Sequence, residues 1–538
     1  MMGSDKLNYK EMKRELLLSI LLFVSIYSYS TIINVPAEQA TIQDGINAAA
    51  NGDTVLVADG TYLENIDFIG KAITVASNFI IDADMLHISN TIINGSQPIN
   101  PNLGSCVRFT SNEDTTSVII GFTLTEGTGC LAQPMNMNIG GGIYCNNSSP
   151  KIISNVITNN NLALISGIAI SNNSSPILLN NVISYNSATN NCGGIGVIYG
   201  NATSLTTLKN CQIFGNTSAG NGGGLFIYDS DIEVVNCSIS NNQAGLYGGG
   251  IYIQNADVNI SNVNISYTSI IGNSATYDGG GIESANAACV PIITNSTIYD
   301  NEAPSNGSQI DCWLGGLEVA NSIVGGSTSN GSIYFGSSLT TFSFCDFYNS
   351  SGADFDGDFV PPTLGVITTV NANGDPCDEF MNILLDPLFV DLANNDFHIS
   401  EYSPCIDASD PNTPLDPDGT IADMGAFYFN QGTTAAESIQ YSVDNYQLSN
   451  FPNPFNQTTT IEFSIELNQQ NELTQLVIYN LKGQLVKTLV NEKLDAGTHH
   501  IIWNGNNENN KAVSSGIYYC KIKIGGKYAS TKKMILMK

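Results

Sequence analysis

Asp231 and Asp257 each stand six residues after a branched apolar residue, Leu225 and Ile251, that closely follows a glycine cluster. If those apolar residues stack on one another, the two carboxylates lie one strand spacing apart, ~5 Å, close to the separation of the paired carboxyls of retaining glycosidases. Yet the slot is a turn, where Asp is favoured for bonding its own backbone, ahead of a cation or sugar contact and of catalysis. Large aromatic side chains fill the first and third positions after residues of the same kind, at Tyr144, Phe226, Tyr228 and Tyr252. Pointing outward on one face, they make a flat platform for sugar rings; alternatively, they shield the face beneath a neighbouring loop.

Hard oxygen ligands for Ca2+ gather at Asp354, Asp356 and Asp358 and again at Asp416, Asp418 and Asp423. Neither group keeps the EF-hand frame of Gly at position six and Glu at twelve. Ca2+ is thus a candidate and no cofactor is required. Cys211 and Cys237 hold one slot in successive repeats, near enough for a disulfide in an oxidising compartment, with packing as buried thiols the favoured alternative. His87 and His398 are single imidazoles that read as structural. A lyase acting on a uronate needs a base and a cation to neutralise the substrate charge. Between residues 31 and 430 the only Lys or Arg are Lys71, Arg108, Lys151 and Lys209. A binding module is therefore favoured over an enzyme, with a polysaccharide lyase or glycoside hydrolase as the alternative.

These residues are positioned by a repeat. The apolar residues after each glycine cluster are Ile143, Ile168, Ile195, Leu225, Ile251, Ile282 and Leu317. A second series runs Ile157, Ile183, Ile213, Ile239, Ile270 and Ile298, each followed three residues later by Asn, from Asn160 to Asn301. A third sits five residues ahead of it, at Ile152, Leu178, Leu208, Val234, Ile265 and Ile293. Short β-branched runs at this period, broken by Gly, Asn and Ser, predict an all-β solenoid, a right-handed parallel β-helix in which one coil cannot bury its inner face alone. Asn at a corner tolerates the left-handed region and stacks its amide on the next. Thr41 to Gly52 changes period and predicts a short helix, capped by Thr41, that plugs the open end of the core. This grammar resembles the pectin-lyase-like β-helix repeat proteins of bacterial surfaces between Ile32 and Phe429. The segments from Ser403 to Ala408 and Asp423 to Phe427 resemble the closing segments of such proteins and are expected to cap the far end.

The flanks differ in kind. Residues 1–30 carry Lys10, Lys13 and Arg14, an apolar run from Leu16 to Ile26, and Ser28-Tyr29-Ser30. They read as a signal peptide, with a retained anchor as the alternative, and no later stretch is long enough for a membrane helix. Residues 31–430 hold 4 basic and 37 acidic side chains, 4 − 37 = −33, and residues 446–538 hold 10 and 6, 10 − 6 = +4. So acidic a body disfavours nucleic acid and anionic membranes as partners. Residues 431–445 read as a linker. Alternating runs beyond it predict a small immunoglobulin-like sandwich over 446–538. Phe451 to Phe455, Ile478 to Val486, Trp503 to Gly505, Ser515 to Ile522 and Lys532 to Lys538 resemble, in order, the type IX secretion C-terminal sorting domain and the related domain of flagellar hook-capping proteins. That resemblance implies export to the cell surface with the secretion machinery as partner, contacted first through Lys532, Lys533 and Lys538. The expected whole is a secreted, surface-attached module that binds glycan or another cell-surface ligand.

Overall fold

The computed structural model describes residues 30–432 apart from 134–135, 163, 200–204, 255–261, 286–289, 327–330 and 349–353. Within 449–536 it describes all but 452–454, 456–457, 466–472, 481–484, 495–496, 509–510, 515 and 525–526. All but the last residue of the expected signal peptide, 1–30, and most of the expected linker lie outside the described residues. The chain forms two units that meet in sequence after Ala436.

The first unit is a parallel β-helix of about ten turns. Among the described residues its first sheet has twelve strands, from Ile32–Val35 to Thr340–Ser343; the second and third have eleven each, from Gly60–Tyr62 to Asp346–Tyr348 and from Ile66–Asp67 to Phe355–Asp356. Five two-residue strands, Asn161–Leu162 to Ser274–Ala275, make a fourth. Each inner column comes from one series of the sequence. Ile152, Leu178, Leu208, Val234, Ile265 and Ile293 pair rung to rung in the first sheet, and Ile157 through Ile298 do so in the second. Their side chains are buried in one continuous core, because the in-register parallel pairing of equal coils stacks like on like.

The glycine-linked series holds from Ile143 to Ile282 and then departs from expectation. Ile282 pairs with Ile310, and Ile310 with Ile333; Leu317 lies in the first sheet, opposite Thr340. Gly315-Gly316 imitates the repeat signal, but the coil has already turned at Gly307, whose φ of 52° supplies the corner.

The corners explain the Asn series. Asn160, Asn186, Asn216, Asn242 and Asn273 each donate Nδ2–H to the Oδ1 of the next member, ending at Asn301, over 2.9 to 3.0 Å. Each Oδ1 after the first also accepts the backbone N–H of the preceding Asn. Asn301 donates in turn to Gln309 Oε1 at 2.7 Å, while Gln309 Nε2 returns a bond to the Asn301 carbonyl at 3.1 Å. The left-handed residue is the one before each stacked Asn, with φ from 54° to 64° at Asn159, Tyr185, Gly215, Asn241, Gly272 and Asp300. Asn therefore stacks and its neighbour makes the turn.

The plug is as expected. Helix Ile42–Ala48 buries Ile42 and Ile46 on the open core, and Thr41 accepts the N–H of Asp44. Two further caps were not foreseen: Glu64 takes the N–H groups of Ile42 and Gln43 at 2.9 and 3.0 Å, and Lys71 Nζ binds the carbonyls of Ile46, Asn47 and Ala49. At the far end Leu364, Val360, Phe380 and Leu384 close the core. The segment from Ser403 to Phe427 lies instead along the flank, where Gly425 N–H bonds Asn321 O at 2.9 Å and Ala426 N–H bonds Thr297 Oγ1 at 3.0 Å. It covers edge corners of the first and second sheets rather than the core's end.

The second unit packs a three-stranded antiparallel sheet (Ser449–Phe451, Thr459–Ile465, Gly497–Trp503) with a four-stranded one (Leu485–Lys493, Leu473–Asn480, Gly516–Ile524, Lys527–Leu536). Alternation puts Ile461, Phe463, Leu476, Ile478, Cys520, Ile522, Met534 and Leu536 inside, around a buried Trp503. Trp503 Nε1–H satisfies itself on Asn506 O at 3.0 Å.

Candidate functional site

The outward row of the third sheet carries the chemistry. In-register pairing sets Arg108, Tyr144, Ala169, Gly196, Phe226, Tyr252, Glu283, Asp311, Tyr334 and Asp356 on successive coils, with ~4.8 Å between neighbours. Along it the row changes from aromatic to acidic.

The expected aromatic platform is covered. Tyr144, Phe226 and Tyr252 are 7 %, 7 % and 6 % exposed, beneath a flap of Gly129–Ala132 and Met137–Ile139 and loops carrying Leu164, Ile165 and Cys192. Phe226 and Tyr252 stack at 5.4 Å and 10° inside this secondary cluster, with Tyr228 half-buried at its rim. The shielding alternative describes them, because rings of this size in a row offer loops an apolar seat.

Next along the row, Glu283 and Asp311 occupy adjacent coils at 3 % and 1 % exposure. Glu283 Oε2 and Asp311 Oδ1 find no hydrogen-bond partner among the described residues. Glu283 lies against Gly279, which has φ 63°, and a Cβ there would meet Oε2 at 2.7 Å. Asp278 accepts the N–H of Asn306 at 2.9 Å and adds a third negative group. Burial, then repulsion by Asp278, pushes the Asp311 carboxyl up to about 8; burial, then Asp311 and Asp278, raises Glu283 well above the usual range. Two carboxyls this close cannot both ionise freely, so the pair holds a proton at neutral pH. The Trp313 ring, 52 % exposed, stacks on Tyr334 at 6.4 Å and 22° beside them. An aromatic surface at the edge of a proton-holding carboxyl pair is suited to seating a polar ring and exchanging a proton or hydrogen bond with it.

The other expected residues are placed elsewhere. Asp231 is buried and accepts the N–H of Asn262, on the next coil, at 2.7 Å, so it ties one coil to the next rather than bonding its own turn; Asp257 lies outside the described residues. Asp356 bonds its neighbour's amide, Gly357 N–H, at 2.7 Å, and with Asp358 it adds to the negative field at Tyr334. Asp416, Asp418 and Asp423 spend their oxygens on backbone N–H groups, those of Asp423, Gln431 and Phe429 among them. That bonding knits the flank segment. Among the described residues no three His, Cys, Asp or Glu side chains converge as a metal cage.

Cys211 and Cys237 share their slot as free thiols, with Cys211 N–H directed at Cys237 Sγ, 3.4 Å away. The column they join runs Asn155, Asn181, Cys211, Cys237, Thr268, Ser296 and Ser322, each accepting from the coil before where its bond is seen. The sulfurs thus act as amide-bonding corner residues. Lys71 caps the helix and Arg108 pairs with Asp67 at 3.0 Å, so two of the four basic groups of the body are committed to structure. His87 is not solitary: Asp59 and Asp82 lie 2.6 and 3.3 Å from its ring nitrogens. His398 meets Asp396 at 2.6 Å and packs on Phe427. Lys532 is half-buried in the edge strand Lys527–Leu536; Lys533 shares that strand, and Lys538 lies outside the described residues.

Spacing from the glycine pair points to Leu317 for the place in the series that Ile310 holds, which hides Asp311. The first position after Ile310 is Asp311, and after Ile282 it is Glu283, so the row was legible once the register was right.

No helix among the described residues is long and apolar enough to cross a membrane. Residues 449–526 match the family described as the FlgD Ig-like domain. No curated protein matches the chain.

Proposed function

We propose that this chain is an exported, surface-attached binding module. In this reading its β-helix offers a carbohydrate the station formed by Glu283, Asp311, Trp313 and Tyr334, and its C-terminal sandwich is read by a type IX-like export machinery. The observation that carries the binding reading is a buried carboxyl pair, each with one oxygen unpartnered among the described residues, beside a half-exposed Trp–Tyr stack. Sugar hydroxyls satisfy such carboxyls while the ring lies on the indole. A glycan array probed with the full chain, with and without EDTA, tests it. Binding that disappears in Trp313→Ala, with the circular dichroism spectrum unchanged, supports the station; binding indifferent to Trp313 removes it. EDTA sensitivity would bring in Ca2+.

One observation favours hydrolysis as the second reading: Glu283 and Asp311 stand one rung apart and one of them holds a proton near neutrality, the disposition of an acid and its partner carboxylate. Release of reducing ends from a bound glycan, lost in Glu283→Gln, would establish it.

A further inference from the structure

We infer that the glycan taken at this station bears protonated amines, making the ligand class an amino-sugar polymer with free amino groups. This rests on the reading of the station as a glycan site and adds the charge of what fills it.

Three observations carry it. First, Glu283 and Asp311 are almost fully buried, and each keeps an oxygen without a partner. A buried carboxyl left this way is costly unless a donor or a countercharge arrives. Second, the chain supplies no countercharge nearby in sequence: between Lys209 and Lys482 there is neither Lys nor Arg. Every coil from the one after Lys209 to the far cap is without them, and the groups that add to the field are negative. Asp278 acts on Glu283 and Asp311 alike, and Asp356 and Asp358 act with it on Tyr334. Third, the neighbouring surface is aromatic, with the half-exposed Trp313 ring stacked on Tyr334, one rung after Asp311.

Charge then selects among glycans. A uronate would bring a further negative charge to buried carboxyls and is repelled. A neutral sugar offers hydroxyl donors and leaves the charge where it was. A sugar ammonium donates to the orphaned oxygens, neutralises the pair, and is held by the faces of the indole and phenol rings. The −33 of residues 31–430, from 4 basic and 37 acidic groups, draws a polycation toward the body before contact. Because the empty pair holds a proton at neutral pH, docking an ammonium there releases a proton to the buffer. An N-acetylated sugar releases none.

The experiment is calorimetric titration of the full chain at pH 7, in two buffers of different ionisation enthalpy. Glucosamine, N-acetylglucosamine and galacturonate oligomers of equal length are compared, with spermidine as a cation that is not a sugar. The expected result is glucosamine oligomer binding at least tenfold tighter than the acetylated one, with proton release, and no binding of galacturonate. In the Glu283→Gln/Asp311→Asn variant that preference collapses to parity and proton release stops, while weak acetylated binding through Trp313 persists. Asp311→Asn alone, folded by circular dichroism, lowers the preference if the double variant does not fold. Equal or tighter binding of acetylated or galacturonate oligomers overturns the inference, as does a preference that survives the double variant, which would be diffuse attraction to the acidic body. Spermidine matching the glucosamine oligomer overturns it in favour of a small polyamine. Acetylated oligomers bound through Trp313 without amine preference overturn this inference and leave the glycan station standing; binding of none of the oligomers overturns both.

Discussion

Asp311 and Asp346 are carboxyls pushed up to about 8, first by burial, and Asp416 is pushed up to about 7 for the same reason. In the unfolded chain such groups ionise near 3.8. Between those values the folded protein binds more protons than the unfolded one, so these groups lose stability as pH rises from about 4 to about 8 and lose no more above it. The β-helix should therefore melt at a higher temperature at pH 5 than at pH 8, by scanning calorimetry. Asp311→Asn should reduce that difference, and a difference of opposite sign would show that other groups govern it. A second outcome concerns sulfur. With Cys237 Sγ bonded to the Cys211 amide, thiol titration under denaturing, non-reducing conditions should find all 12 cysteines reactive; a count of ten with the two joined in one peptide would show a bridge. At this scale the sequence disclosed the shared cysteine slot but not its role. A corner position that accepts an amide tolerates Asn, Cys, Thr or Ser, and a column so varied gives no repeated letter to see.

Columns of identical residues were the legible part, since identical side chains one coil apart have identical neighbours. The three apolar series and the Asn column from Asn160 to Asn301 follow from that alone. What failed was counting through an irregular coil: Gln309 replaces the next Asn only eight residues after Asn301, and the following Gly315-Gly316 drew the series to Leu317. The Asn column also sets a measurable cost. Asn216→Ala removes Nδ2 bonds to Asn242 Oδ1 and to the Ile183 carbonyl, and the Oδ1 that accepts from Asn186. Buried groups left unpaired cost ~1–3 kcal/mol each, so the urea midpoint should fall clearly with the slope unchanged. A shift within error would mean that water enters the corner. Gly194→Ala tests the glycine corner: its Cβ would stand 2.3 Å from the Gly224 carbonyl oxygen. Backbone on backbone leaves no cheap adjustment, and a lower yield of soluble protein is expected.

The molecule joins a body of −33 to a domain of +4, and the two have separate cores. A unit of about ninety residues with its own core can fold alone, as the proposed address role requires. Under the proposed function, removing residues 448 to 538 leaves the folded body in the periplasm, and placing those residues after a signal peptide and an unrelated domain carries that domain out; fractionation of a host with the secretion system decides it, and unchanged surface delivery of the truncated chain moves the address elsewhere. The Asn column has a bearing on the length of the body. Each internal member offers the next coil the same two donors and the previous coil the same acceptor, so a whole coil is interchangeable with its neighbours. Tandem duplication of one coil between Asn160 and Asn301 lengthens the solenoid by ~4.8 Å and strands no amide. A duplication carrying Gln309 does strand one, because its side chain has already turned back on Asn301. The gene can grow and shrink in its middle, and its terminator sits at Gln309.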